Sequence, residues 1–352
     1  MYHSIRVAAV QMQVTPAPTE ERLSRAQGLV TQAAQAGAQL VVLPELFNTG
    51  YGYTYTNHDR VESLTGPSVR WMQQTAGRLN IHLAGSLMLL DGKDIYNALM
   101  VFAPNGRMWR YDKNYPWALE RGFFRKGKGP TVAETALGAF GMMICWDVAH
   151  TSLWRQYMGK VDMILVSSCP PDVSNPTYRF PNGDQLTFDD MGSFFTRLKE
   201  SGTGNRVFGD MINQQTAWLG VPTVNTVACG LFKSEVANGR ALWMSLIPMA
   251  PRLAKYLSQA DRVEMMCKML QGCKVVDANG KVTAELKQEQ GEAFTLAEVA
   301  LANKKAIPKK PQPHSPLPSF SYFYSDILGP LISIPVYRRG LRRVLRRIDL
   351  GR

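Results

Sequence analysis

The sequence predicts an α/β fold. Strand-like and helix-like segments alternate along most of the 352 residues. The strands are short apolar runs, and several stop abruptly at a polar cluster, as strands do when they deliver a side chain to a sheet edge. A hydrophobic content of 45% suits a chain that closes a large core, so disorder is excluded for most of its length.

Ile5–Met12 alternates and reads as the first strand. Pro16 and Pro18 mark a turn, and Thr19 with Glu20 and Glu21 opens a helix that Gly37 ends. Leu40–Leu43 is a buried strand stopping at Pro44-Glu45. Pro67 starts a second helix, which gives way near Asn80 to a strand over Ile81–Leu90. Asp91-Gly92 is a hairpin turn into Tyr96–Phe102, and Pro104-Asn105-Gly106 turns the chain into Met108–Tyr111, leading to Lys113.

Leu137–Ile144 is the strand that ends at Cys145-Trp146-Asp147, followed by a helix near Ser152–Met158 and a strand at Asp162–Ser167. Pro170–Gly204 is polar and turn-rich, with one helical piece near Met191–Lys199. A helix over Val207–Leu219 precedes the strand Val221–Val227. A hairpin then runs through Asp277-Ala278-Asn279-Gly280, and Ala293–Val299 is the last strand. Val236–Gly272 interrupts this order, and Pro248 and Pro251 within it forbid an unbroken helix. There is no internal repeat.

Five cysteines without regular spacing do not make a disulfide framework and point to a reducing compartment. No CxxC pair exists and the histidines are scattered, so no metal site is expected. Nor is any secretory leader or spanning segment. The net charge of +12 is lopsided: Arg338, Arg339, Arg342, Arg343, Arg346, Arg347 and Arg352 face a lone Asp349. Such asymmetry bears on partners rather than fold.

Taken singly, Glu45 reads as a loop carboxylate, Lys113 as a solvated lysine and Cys145 as a core thiol. Together they place an acid, an ammonium and a thiol after three separate strands, with Glu120 one loop beyond Lys113. A free thiol, with a pKa of ~8.5, is mostly protonated at neutral pH. A nearby carboxylate can take its proton, and an ammonium can favour the thiolate and stabilise the charge formed on attack.

Pro44-Glu45, then Lys113 with Glu120, then Cys145-Trp146-Asp147, in that order, resembles the nitrilase superfamily of carbon–nitrogen hydrolases over roughly residues 4–300. Val7-Ala8-Ala9-Val10-Gln11, Asn48-Thr49-Gly50-Tyr51, Tyr96-Asn97-Ala98, Leu153-Trp154-Arg155 and Val276-Asp277-Ala278-Asn279-Gly280 support the likeness. The resemblance implies a four-layer α-β-β-α sandwich that forms homodimers or larger homo-oligomers, and acyl chemistry without a cofactor. Glu45 is then the general base, Cys145 the nucleophile, Lys113 the stabiliser of the intermediate, and Glu120 a second carboxylate that positions Lys113 or substrate. Tyr51, Trp117, Trp146 and Asp147 become candidate substrate-binding residues. Lys113-Asn114-Tyr115-Pro116-Trp117 resembles aliphatic amidases, whereas Cys145-Trp146-Asp147 and Glu120-Arg121 resemble nitrilases.

Two departures stand out. Asn213-Gln214-Gln215-Thr216-Ala217 replaces an arginine-alanine-x-glutamate-asparagine pattern, and both the Val236–Gly272 insertion and the tail fall outside the resemblance. The chain therefore divides into a hydrolase domain at 1–306, a proline-rich semi-rigid linker at 307–319, and an aromatic and basic extension at 320–352. In that extension, arginines recur every fourth residue with Leu341, Val344, Leu345 and Ile348 between them, behind Phe320, Tyr322, Phe323 and Tyr324. The pattern reads as an amphipathic helix lying on an anionic membrane surface, or on a neighbouring subunit.

The expected function is a thiol hydrolase of a small-molecule amide, in preference to a nitrile, acting through a Cys145 thioester. It is expected to be cytoplasmic and peripheral at the inner face of the membrane, with no nucleic acid partner. Capture of the thioester by an amine, as an N-acyltransferase, and an inactive membrane scaffold are the alternatives.

Overall fold

The computed structural model describes residues 2–302 and 304–349; Met1, Asn303 and 350–352, including Arg352 of the basic tail, lie outside the described residues. From the N-terminus come β1 (Tyr2–Gln11), α1 (Thr19–Gln35), β2 (Leu40–Val42), α2 (Pro67–Leu79), β3 (His82–Asp91), β4 (Asp94–Phe102) and β5 (Met108–Asp112). The middle supplies β6 (Val132–Thr135), β7 (Gly138–Ile144), α3 (Thr151–Gln156), β8 (Met163–Ser168), β9 (Thr177–Arg179), β10 (Gln185–Thr187), α4 (Phe188–Met191), α5 (Ser193–Glu200) and α6 (Thr203–Asn205). Then follow α7 (Ile212–Leu219), β11 (Thr223–Val227), β12 (Leu231–Glu235), α8 (Gly239–Leu246), β13 (Glu264–Lys268), β14 (Lys274–Val276), β15 (Val282–Glu285) and β16 (Ala293–Ala302). The chain closes with α9 (Ser319–Phe323) and α10 (Gly329–Asp349), joined by a π turn at Tyr324–Leu328.

Local chemistry explains the helix ends. Glu20 and Glu21 sit in the first turn of α1, where the helix dipole favours negative charge. Pro67 opens α2, where a missing N–H costs nothing. Asn80 then closes it in the left-handed region at φ 53°, returning its N–H to the last turn.

Two six-stranded sheets form the centre. One has the order β16-β1-β2-β3-β4-β5 and the other β15-β14-β11-β8-β7-β6. In each, the three middle strands in chain order are parallel (β1, β2 and β3; β7, β8 and β11). Alternation decides the layers. Val7 and Ala9 of β1 join Leu40, Val42, Phe140 and Met142 between the sheets, while Ala8 and Val10 face α1 and α2. Leu153, Trp154, Ile212 and Leu219 bring α3 and α7 onto the far face of the second sheet. This is the four-layer α-β-β-α sandwich that the resemblance implies.

A third, antiparallel sheet, β10-β9-β13-β12, has no counterpart in the sequence reading. It weaves the two unassigned stretches together: Tyr178 of β9 lies opposite Met265 of β13, and Cys267 of β13 opposite Phe232 of β12. Strands this short carry one or two inward apolar residues each, too few for a period to show. Trp243 of α8 is the hub of this cap, edge-on to Tyr178 and Phe180 (both 5.2 Å) and donating Nε1 to Leu253 O at 3.1 Å.

The proline-rich stretch is a strap and not a spacer. Gln312 donates to Thr151 O (2.8 Å) and Gln215 Oε1 (2.9 Å), and Trp218 donates to Lys310 O (2.9 Å). Gln215 of the departed motif thus holds the strap.

The tail's aliphatic face turns inward. Its helix does form, but Val336 and Val344 are buried and Leu341 packs beside them against the chain's own cap and loops. The face assigned to a membrane or a neighbouring subunit is therefore occupied. Tyr337 donates its hydroxyl to Asp94 (2.8 Å) and receives Ile95 N–H, while Arg343 and Arg347 pair with Asp59 (2.9 and 3.0 Å). Gly340 lies so close to His58 that any Cβ would overlap the imidazole. Gly340→Leu should therefore cost about 1–3 kcal/mol by overpacking. A lowered Tm, with tail arginines cut first in limited trypsin digestion, is the expected reading.

Candidate active site

Four strand ends meet under the cap. Leu43 O, one residue past β2, accepts from Ser167 Oγ (2.9 Å) of β8 and Thr226 Oγ1 (3.2 Å) of β11, tying the two sheets together. Leu46, held left-handed at φ 50°, donates its N–H to Ser86 Oγ at 3.0 Å. Between these two anchors Glu45 is fixed. Lys113 leaves β5 with its N–H on Asn97 O of β4 (2.9 Å).

Lys113 is fully buried, and its ammonium donates to Glu45 Oε1 at 2.8 Å and to Glu120, 2.7 Å from Oε2 and 2.9 Å from Oε1. Asn97 Nδ2 adds a second donor to Glu45 Oε1 at 2.7 Å. Glu120 is locked by Trp117 N–H (2.8 Å) and by the Tyr51 hydroxyl. The other Glu45 oxygen, Oε2, is buried without a hydrogen-bond partner, and the Cys145 thiol lies beside that carboxylate.

Cys145 follows β7 in the left-handed region, φ 47°, which a side chain with a Cβ enters only at a cost of order 1–3 kcal/mol. The strain swings the thiol off the strand line into a cavity. What holds the turn is Asp147. Its Oδ2 accepts from Ile144 N–H (2.9 Å) and Tyr111 OH (2.7 Å), and its Oδ1 from Tyr115 N–H (2.8 Å). Asp147 is fully buried and does not line the cavity. In place of the expected substrate contact, it braces the turn at Cys145. Burial pushes its carboxyl up to about 6.

The electrostatics follow from two acids sharing one cation. Burial pushes Glu45 up, Lys113 pulls it down, and Glu120 pushes it up again, leaving it at about 7. Lys113 is held well above the usual lysine range: burial opposes its charge, but Glu120 and Glu45 outweigh burial. Burial, then the negative charge of Glu45, pushes the Cys145 thiol well up, so no thiolate stands preformed at neutral pH.

Tyr51, Trp117 and Trp146, expected at the substrate, all line the cavity with Cys145 and Glu120. Tyr53, which sequence reasoning did not select, lines it too. Asn97 was legible only as part of Tyr96-Asn97-Ala98. Among the described residues, no group of three or more His, Cys, Asp or Glu side chains is placed to hold a metal ion.

The chain belongs to the carbon–nitrogen hydrolase family, whose model matches residues 6–186. It is 33% identical over 172 residues to omega-amidase NIT2 of Danio rerio, covering 46% of this chain and 61% of that protein. To nitrilase 3 of Arabidopsis thaliana it is 29% identical over 165 residues, covering 41% of this chain and 48% of the relative. The matches thus span about half to six tenths of these relatives. Among solved structures, the amidase from Nesterenkonia sp. AN1, as a double mutant in complex with acrylamide, superposes with TM-score 0.60 at 16% identity, covering 84% of this chain and 90% of that one. XC1258 from Xanthomonas campestris gives 0.59 at 15%, covering 86% and 91%. At that identity the likeness shows the fold.

Lys113→Met should leave two buried carboxylates face to face, costing about 3–5 kcal/mol in chemical denaturation. Glu120→Gln should lower the Glu45 pKa from about 7 toward the ordinary carboxylate range, because a like charge is removed. Carboxylate infrared titration of the Glu120→Gln protein reads that shift.

Proposed function

We propose that the chain is an amide hydrolase in which Cys145 forms a thioester. The observation that carries this reading is the Glu45 carboxylate beside the Cys145 thiol, with Lys113 locked against its other side. Cys145 Sγ attacks the amide carbon while Glu45 takes the thiol proton. The field of Lys113 offsets the charge that builds up. Glu45 then returns that proton to the departing nitrogen, the C–N bond breaks, and ammonia or an amine leaves. Glu45 next takes a proton from water as its oxygen attacks the thioester carbon, and the acid departs with Cys145 regenerated as thiol. Relatives named omega-amidase and nitrilase support the reaction class. Pairing of two copies through outer helices belongs to the same proposal, and sedimentation reads it.

The base works as its anion, so kcat/KM should rise with pH and level off above about 7. Cys145→Ala should abolish ammonia release with Tm unchanged, and Glu45→Gln should cost roughly 10²–10⁴-fold. Full activity in Cys145→Ala would overturn the reading.

We also propose peripheral membrane docking, now through a different face. Phe323, Ile327 and Leu331 are exposed at 48%, 53% and 63%, and the same line of α9 and α10 continues into exposed Arg338, Arg339, Arg342 and Arg346. Exposed apolar residues aligned with cations fit an anionic interface. Among the described residues, no helix is long and apolar enough to cross a membrane. Flotation with vesicles containing phosphatidylglycerol should recover the protein. Recovery should fall as salt rises from about 0.1 to about 1 M, and Ile327→Asp with Leu331→Asp should abolish it. Equal recovery by neutral vesicles would defeat the electrostatic part.

A further inference from the structure

The cavity at Cys145 is almost wholly apolar. Its volume is about 150 Å³, enough for several carbons of a hydrocarbon chain. Beyond Glu120 and the Cys145 thiol, its walls include Phe188, Phe195, Leu242, Met249, Met265 and Phe320, from both halves of the cap and from the tail. Among the described residues lining it there is no lysine, arginine or histidine, and Asp172 is the carboxylate besides Glu120. An acyl group carrying its own carboxylate would find no counter-charge there and would meet Asp172. Burying such a charge unpaired is costly.

We propose that the acyl half retained on Cys145 is an uncharged hydrocarbon chain, longer than a few carbons, so that the substrate is the amide of an apolar acid. This deepens the hydrolase reading and rests on it. The tail fits the same substrate. Phe320, Ser321 and Tyr324 form one wall of the cavity, while Phe323 and Ile327 of the same helical stretch are exposed. One segment therefore presents apolar residues both to the chain in the pocket and to the medium outside. An amphiphilic amide fits that arrangement, and a small polar one does not.

The test is ammonia release by the full-length protein from acetamide, butyramide, octanamide and dodecanamide, with glutaramic acid as the charged comparison. kcat/KM should rise about fourfold per methylene until the cavity is filled, the ratio that burying a methylene supplies. Glutaramic acid should be used more slowly than butyramide. Met249→Trp, which narrows the cavity at a half-buried position, should shift the optimum to shorter chains. Phe320→Ala, which opens the wall, should shift it to longer ones. Thermal melts identify a variant that has failed to fold, and the other variant and the wild-type series still decide. Acetamide or glutaramic acid used as well as octanamide would overturn this inference and leave the hydrolase reading standing. No ammonia from any amide, and no acyl adduct on Cys145, would overturn both.

Discussion

Everything in the site depends on one buried ammonium between two buried carboxylates. Lys113 holds Glu45 and Glu120 within hydrogen-bond reach of a single nitrogen. Two such acids cannot both ionise in a dry pocket without a cation between them, and one cation does not neutralise both. Burial first, and then the negative charge of Glu120 that Lys113 does not cancel, lifts Glu45 to about 7. The same charge also explains why the supporting donors crowd in: Asn97 on Glu45, Tyr51 and the Trp117 N–H on Glu120. The two sheets must meet in one register for this to form, and the Leu43 carbonyl, bonded from β8 and β11, is where that register is fixed.

The tail belongs to the same system. Glu120 sits on the short turn Ala118–Gly122, in which Ala118 is forced to φ 27°. α10 lies on that turn: Gly329 fits where a Cβ would overlap Ala118, and a Cβ on Gly122 would meet Val336 at 3.2 Å. A segment that looks like a detachable anchor thus packs on the turn that carries Glu120. Strap, tail and cap form a chain of contacts that ends at the ammonium.

Much of the site was legible because chemistry at strand ends leaves an abrupt trace. Glu45, Lys113 and Cys145 each follow a strand, and the structure brings them together with Glu120. Adjacency misled at Asp147, because the turn after a left-handed Cys145 rotates the next carboxylate back into the protein. The tail misled for another reason. An amphipathic pattern says that a face is apolar without saying what covers it, and the partner Asp59 lies almost 300 residues away. The cap was invisible because its strands carry too few inward residues to set a period and pair across long separations.

The apolar cap and the reluctant thiol belong together physically. Burial that pushes the Cys145 thiol up would leave a poor nucleophile if ionisation had to come first. In the proposed reaction, within a cavity walled by aromatic and aliphatic side chains, the proton instead moves to Glu45 as the new bond forms, with both charges held near Lys113. A hydrocarbon chain that fills the cavity excludes water, and in the lower dielectric the pull of Lys113 on developing charge grows. A polar occupant would carry its hydration in and weaken that pull. The character of the pocket wall and the charge arithmetic of the acids thus favour the same kind of occupant.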